Sequence, residues 1–476
     1  MIWQLILLEV KKMFRIWWVM PATLLLVVLY IWSFENRSIS VNLNHSIADS
    51  SLTDQQQKKK EYLIELDSAI IYGKKYEAYS ANPLNPYRYN TISPQIAFYR
   101  FNPLAILSTG QSDLFSEEIL ISAPAREPGL KIEDISNPLH RLYGNIDPSF
   151  ILVFLLPLLI IALGYNVLTG EREADTLKLL SIQNRSFKNW IWVKSLVPFE
   201  FLSLVFVSVT VFLLWMHGAG IFRYPFPVFL VAVSIIAYIF FWCLLVLLIN
   251  LKSNSSSTAA IVLAGCWVFF VFILPTLINL SSLAIYKVPS RVEYITQYRA
   301  PYIEAEKQGR REMLNQYFFD HPELAKPDTS NQRYKDNLFA IHTLALFDNI
   351  RKSTASITQT YEEQKMKSIG LSNLLQVMSP AAIFNSSLNY IAGTSEKQYR
   401  EFSNLAIALR LNHLESIKQK VLKDEEMKKD EVENRQEFCY SINAWNNAWK
   451  GGGLLLFYGL ILVLIIRTQL NHFTVQ

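Results

Sequence analysis

Cysteine is scarce in this chain, with three in 476 residues. Cys243 and Cys266 fall inside apolar runs and only Cys439 lies in a polar segment, so a disulfide joining two polar segments is excluded. Catalytic signatures are missing too: there is no G-x-x-x-x-G-K-[ST] phosphate loop, no H-E-x-x-H, no C-x-x-C and no G-x-S-x-G. Gly309-Arg310-Arg311 and Gly393-Thr394-Ser395 are too short to cradle phosphates. His140, His321, His342 and His413 are scattered without metal-ligand spacing, so no metal site is expected. A net charge of +5 is small for this length and leaves no footprint for nucleic acid.

Long apolar runs are abundant instead. Hydrophobic residues make up 51% of the chain, and nearly all the charge lies between those runs, which a soluble chain would not arrange. Six stretches are long enough to cross a bilayer: Arg15–Phe34, Phe150–Leu168, Val197–Met216, Phe226–Leu251, Ala259–Leu283 and Gly451–Ile466. The first is too long and too rich in Trp for a cleaved signal peptide, and no A-x-A site follows. Before it, Ile2, Leu5, Ile6 and Val10 share one helical face with Lys11 and Lys12 near the end, the pattern of an elbow helix lying along the membrane.

Two polar segments separate the spans. Residues 35–148 are broken by Asn82-Pro83, Asn85-Pro86, Ser93-Pro94, Asn102-Pro103, Ala123-Pro124, Glu127-Pro128 and Asn137-Pro138, so this half reads as loop-rich. Within it the pattern predicts a helix at Thr53–Tyr72, capped by Thr53 or Asp54, and a strand in Glu118–Ser122. Residues 284–450 are helical in composition, with helices predicted at Val292–Phe319, Gln332–Ser368, Pro380–Ala392 and Glu396–Asn434. The last has the charged face of a stalk or coiled coil. Lys252–Thr258 is short and polar, so the fourth and fifth spans form a hairpin.

The segment that organises the chain is Gly170 to Val193, G-E-R-E-A-D-T-L-K-L-L-S-I-Q-N-R-S-F-K-N-W-I-W-V, tethered between two spans at one membrane face. Leu177, Leu180, Ser181 and Asn184 share a helical face, while Glu171, Arg172, Glu173, Asp175 and Lys178 are expected to stay solvated. Ser186 reads as the cap of a second short helix carrying Phe187, Lys188, Trp190, Ile191 and Lys194. This stretch, from Pro157 through Gly170-Glu171-Arg172-Glu173, Thr176-Leu177 and Leu180 to Lys194, resembles the ABC-2 type exporter permeases. In that family the segment is the coupling helix that docks onto a cytoplasmic ATPase. The resemblance implies that Glu171, Arg172, Glu173, Thr176, Leu177, Leu180 and Arg185 form the ATPase-coupling surface. The family usually has Gly before that Thr; here the position is Asp175, which puts the bend before Thr176 in question. Asn102-Pro103-Leu104-Ala105, Gly110-Gln111-Ser112-Asp113-Leu114, Ser379-Pro380-Ala381-Ala382 with Leu388, and Ala392-Gly393-Thr394 are similar to a subset of these permeases that carries a large ectodomain of uncharacterised function.

The expected fold is an α-helical integral membrane protein. It has six transmembrane helices, the elbow and coupling helices, and a mostly helical periplasmic ectodomain built from two insertions. The domains would be 1–34 (elbow and first span), 35–148 (first periplasmic segment), 149–283 (second to fifth spans, with the coupling helix at 170–193), 284–450 (second periplasmic segment) and 451–476 (sixth span and cytoplasmic tail). The function implied is a permease subunit of an ATP-binding cassette exporter, itself not an enzyme. ATP and Mg would be bound by a separate dimeric ATPase, and a second permease copy or homologous permease would complete the path. Membrane lipid and a periplasmic protein are the other partners. An alternative is a non-transporting membrane scaffold whose ectodomain binds periplasmic or cell-wall partners. Glu200 is the one ionisable residue placed within a span, beside Pro198 and within reach of Lys194; it reads as an anchor or a relay of coupling motion. Pro157 and Pro275 sit mid-span as bends or hinges.

Lys and Arg in the short loops place Lys11, Lys12, Arg172, Lys188, Lys194, Lys252 and Arg467 on the cytoplasmic side of an inner membrane, with both termini inside. An accessibility tag in Asp328–Asn331 should therefore label from outside intact spheroplasts; labelling only after lysis would overturn this topology.

Overall fold

A helix that starts in the first apolar run does not stop where that run ends. After α1 (Ile2–Arg15), α2 runs unbroken over Val19–Tyr72, 54 residues and about 80 Å at 1.5 Å per residue. The computed structural model describes residues 2–73, 81–93, 95–110, 112, 117–121, 146–177, 180, 187–220, 222–320, 322, 332–423, 425–435, 437–441, 445 and 447–472. No Gly or Pro lies between Pro21 in the first turn of α2 and Gly73, which ends it in the left-handed region at φ +58°. The expected irregular chain from Glu35 is thus helical. Thr53 does not cap a new helix: its hydroxyl donates to Asp49 O at 2.8 Å in the helix interior.

Polar residues along α2 hold it against the rest of the chain. Arg37 is buried; its Nε donates to Ala105 O at 3.2 Å, its Nη2 donates to Ser112 Oγ at 3.0 Å, and the guanidinium lies over the Phe101 ring. A buried cation requires such acceptors. Further along, Lys429 pairs with Asp67 at 2.8 Å.

The remaining elements follow in order. α3 (Pro86–Ile92), β1 (Ile96–Arg100) and β2 (Glu118–Leu120) precede α4 (Pro148–Glu173), α5 (Phe187–Met216), α6 (Pro225–Lys252) and α7 (Ser256–Tyr286). Then come α8 (Arg291–Lys307), α9 (Arg310–Asp320), α10 (Gln332–Leu375), α11 (Pro380–Ala392), α12 (Glu396–Lys423), α13 (Lys429–Glu433), β3 (Phe438–Ser441) and α14 (Trp449–His472). Among the described residues six helices are long and apolar enough to cross a membrane: α2, α4, α5, α6, α7 and α14. Two predicted helices are each divided. Val292–Phe319 breaks at Gln308-Gly309, and Glu396–Asn434 ends first at Lys423.

The strand expected in Glu118–Ser122 is present as β2, antiparallel to β1 with Ala97 opposite Ile119. The other partner of β1 is β3, parallel, with Ala97 opposite Phe438. Sheet order β2-β1-β3 therefore joins the two polar segments into one body. Beyond the sheet a second core gathers Tyr62, Leu66, Tyr89, Tyr317, Ile341 and Ile417 from both segments.

Helix α11 has the bounds its sequence predicts, and it is capped by Ser379 Oγ accepting from Ala382 N and by Gly393 left-handed at the end. Its packing is with the spans. Phe384 stacks on Tyr238, halfway along α6, at 4.3 Å between ring centroids. On α14, Gly451 leaves room for Ser387: a Cβ there would stand 2.5 Å from the Ser387 Cβ.

Both mid-span prolines follow a π-helical stretch, Ile151–Leu155 before Pro157 and Phe269–Ile273 before Pro275. Proline has no N–H, so carbonyls one turn back lose their donor, and a wider turn accommodates the ring. Side chains from other elements replace those donors. Tyr238 Oη donates to Val153 O at 2.9 Å, Trp267 Nε1 donates to Phe154 O at 3.1 Å, and Ser379 Oγ donates to Phe270 O at 2.8 Å.

His413 on α12 lies against α3, with Nε2 2.6 Å from Asn90 Oδ1. Burial, and then the Arg435 charge, push its pKa down to about 4. An unfolded histidine titrates near 6.5, so the unfolded chain binds more protons between pH 6.5 and 4 and stability falls as pH drops through that window. Thermal unfolding should show His413→Asn losing less stability than wild type from pH 7 to pH 4.5, by at most about 3 kcal/mol.

Candidate coupling site

The site is built where α4, α5, α6 and α7 end on one face. Near the end of α6, Asn250 is fully buried. Its Nδ2 donates to Gly164 O and Val246 O, each at 3.0 Å, and its Oδ1 accepts from Leu168 N at 3.2 Å and Thr169 N at 3.4 Å. One amide thus satisfies the backbone at a turn in α4 over residues 165–168. Gly164 is required there, since a Cβ would stand 2.5 Å from Val246 Cγ1. Sequence reasoning missed Asn250; its only signal is a lone Asn near the end of an apolar run, which hydropathy averaging conceals.

Beyond the turn, Gly170-Glu171-Arg172-Glu173 completes α4 and each charged side chain reaches a different neighbour. Glu171 accepts from Lys194 Nζ on α5 and from Thr176 Oγ1, and Lys194 lies over the Trp190 ring at 5.0 Å. Arg172 Nη1 donates to Ser253 O in the α6–α7 connection. Glu173 Oε1 accepts from Ser256 N at 2.6 Å and its Oε2 accepts from Ser256 Oγ at 2.7 Å, so it caps the first turn of α7 together with Ser255. Ser256 Oγ also lies 3.1 Å from Thr169 Oγ1.

The expectation of a uniformly solvated charged face is corrected here. Glu173 and Asp175 are exposed, but Glu171 and Arg172 are half-buried because their partners lie toward the spans. Leu177 is buried among Leu168, Trp190, Ile191, Leu247, Leu251 and Ile466, with Leu180 packed against that cluster. The expected second short helix is also corrected: Phe187, Lys188, Trp190, Ile191 and Lys194 form the first turns of the continuous α5, with Pro198 inside it. Arg185, Lys178, Ser181, Asn184 and Ser186 lie outside the described residues.

Glu200 is not part of this constellation. It is exposed on α5 with no hydrogen bond or ion pair among the described residues, and Lys194, its expected partner, is taken by Glu171. At the N-terminus, α1 packs along α5, with Phe14 edge-on to Phe201 at 5.7 Å.

Residues 3–182 match the ABC-2 family transporter proteins, and residues 291–441 match a domain of unknown function (DUF3526). The chain carries an ABC-2 family transporter domain in its N-terminal part and a DUF3526 domain beyond it. With its six apolar helices it is a multi-pass membrane protein. The ABC-2 match ends within the segment that follows α4, so it includes Glu171, Arg172, Glu173, Thr176, Leu177 and Leu180. The second match begins at the first residue of α8 and closes at the last residue of β3. No curated protein and no solved structure is similar enough to the chain to match it.

Asp175 explains the bend that its departure from Gly put in question. It adopts φ +54°, left-handed backbone that Gly reaches freely and Asp tolerates better than most residues. Thermal unfolding in detergent should show Asp175→Gly unchanged or up to about 1 kcal/mol more stable, and Asp175→Val about 1–2 kcal/mol less stable.

Proposed function

We propose that this protein is the transmembrane subunit of an ATP-binding cassette exporter, and that it takes its driving force at the segment joining α4 to α5. The observation that carries this reading is the Glu171–Lys194 pair. It links the two helices that flank the segment, so a push on the segment moves both together.

No phosphate loop occurs in the sequence, so ATP and its Mg are bound and hydrolysed by a separate ATPase chain, a reading that the match of residues 3–182 to the ABC-2 family transporter proteins supports. The docking surface is the segment 173–193, where Glu173 and Asp175 are exposed and to which Arg185 belongs by sequence; Glu171, Arg172, Thr176 and Leu177 pass the motion inward. From there it reaches α6 and α7 through Asn250, Ser253 and Ser256. The orientation is the one the loop charges predict: inner membrane, both termini cytoplasmic, large domain periplasmic. A second permease copy completes the assembly, as six spans are half of a usual path.

What is driven includes the outer domain as much as a substrate. α2 is one helix from the membrane to the distal core, and α11 is wedged against α6 and α14, so span movements are transmitted mechanically. In reconstituted complex with its ATPase, Arg172→Glu combined with Leu177→Asp should leave membrane insertion intact and lower transport-coupled ATPase stimulation by tenfold or more, equivalent to about 1.4 kcal/mol of lost coupling. ATPase stimulated at full strength would refute the coupling role of this segment.

A further inference from the structure

A cleft of about 500 Å³ opens between the far end of α7 and α10, on the side of the molecule away from the coupling site. Its α7 wall presents Pro275, Asn279 and Leu283, and its α10 wall presents Lys365, Ile369 and Ser372. α7 is 31 residues long, about 46 Å, against a hydrocarbon layer of about 30 Å. Counting from Ser256, which Glu173 holds at the opposite face, the hydrocarbon is exhausted after roughly 20 residues, close to Pro275. The cleft therefore stands at the boundary between acyl chains and headgroups of the far leaflet.

The surroundings suit an amphiphile. Leu277 and Leu280 on α7, and Leu374, Val377 and Met378 just past the α10 wall, are exposed apolar side chains flanking the opening. Tyr458 of the span α14 donates to Val377 O at 2.6 Å, which fixes that lip beside the spans. Inside, the charge is one-sided. The Glu396 carboxylate is bound by Arg400 at 2.9 Å, whereas the Lys365 ammonium rests 6.0 Å from the Tyr361 ring centroid and pairs with no carboxylate among the described residues. An ammonium in that setting lacks a counter-anion, and Ser372, Asn373 and Asn279 add hydrogen-bonding groups around it.

We infer that this cleft binds an anionic phospholipid of the far leaflet, the headgroup phosphate on Lys365 and an acyl chain passing Pro275 of α7 into the hydrocarbon. It requires the six helices to cross a bilayer and does not require an ATPase to drive them, so it can fail while the exporter reading stands, and the reverse. The test uses the full chain reconstituted in phosphatidylcholine vesicles containing a trace of diazirine-bearing phosphatidylglycerol, with crosslinks mapped by mass spectrometry. Labelling is expected within 275–283 and 361–376, reduced about fivefold by Lys365→Glu and retained by Lys365→Arg. Ser372→Trp, which fills the cleft without changing charge, should lower labelling as well. Equal labelling by diazirine-bearing phosphatidylcholine, displacement by soluble glycerol phosphate, or insensitivity to both Lys365→Glu and Ser372→Trp would overturn the assignment.

Discussion

A carbonyl that loses its donor inside a lipid-embedded bundle must find another one within the protein, because no water is at hand to replace it. Pro157 and Pro275 each create that demand, and the way it is met joins elements remote in sequence. Val153 O turns to Tyr238 and Phe270 O to Ser379. Tyr238 in turn stacks on Phe384. Since Ser379 caps α11 and Phe384 lies within it, the bends of two spans are tied to one short helix of the added domain.

The same rule operates at the opposite face. There Asn250 satisfies the backbone at the turn in α4, and the acidic residues that follow are used as ligands for α5 and for the first turn of α7. Isolated surface ion pairs contribute little to stability. Half-buried and shared with Thr176, the Glu171–Lys194 contact instead fixes geometry, holding the two flanking helices at a set distance. The hydrophobic cluster around Leu177 anchors the start of the segment between them.

Much of this was legible in the chain itself. The six apolar helices follow from apolar length, and α11 from the pattern of Pro380–Ala392. Asp175 shows where motif reading needed geometry: the backbone demands a positive φ, and Asp meets it where Gly is usual. Other readings failed for identifiable reasons. The stretch 35–51 is polar but contains neither Gly nor Pro, and polarity alone does not end a helix whose buried face is held by Arg37 and its acceptors. β1 and β3 are short, and their pairing is set by long-range packing rather than local preference. Glu171 and Arg172 have the pattern of solvated charges, yet each finds a partner on another helix.

Composition and periodicity by themselves determined that six helices are long and apolar enough to cross a membrane, because apolar length is a local property. Only the tertiary structure decided that the two polar segments form one sheet, that α11 belongs among the spans, and that Glu171 grips Lys194 rather than facing water. Those outcomes depend on which donor meets which acceptor across hundreds of residues, a condition that burial enforces and no local pattern encodes.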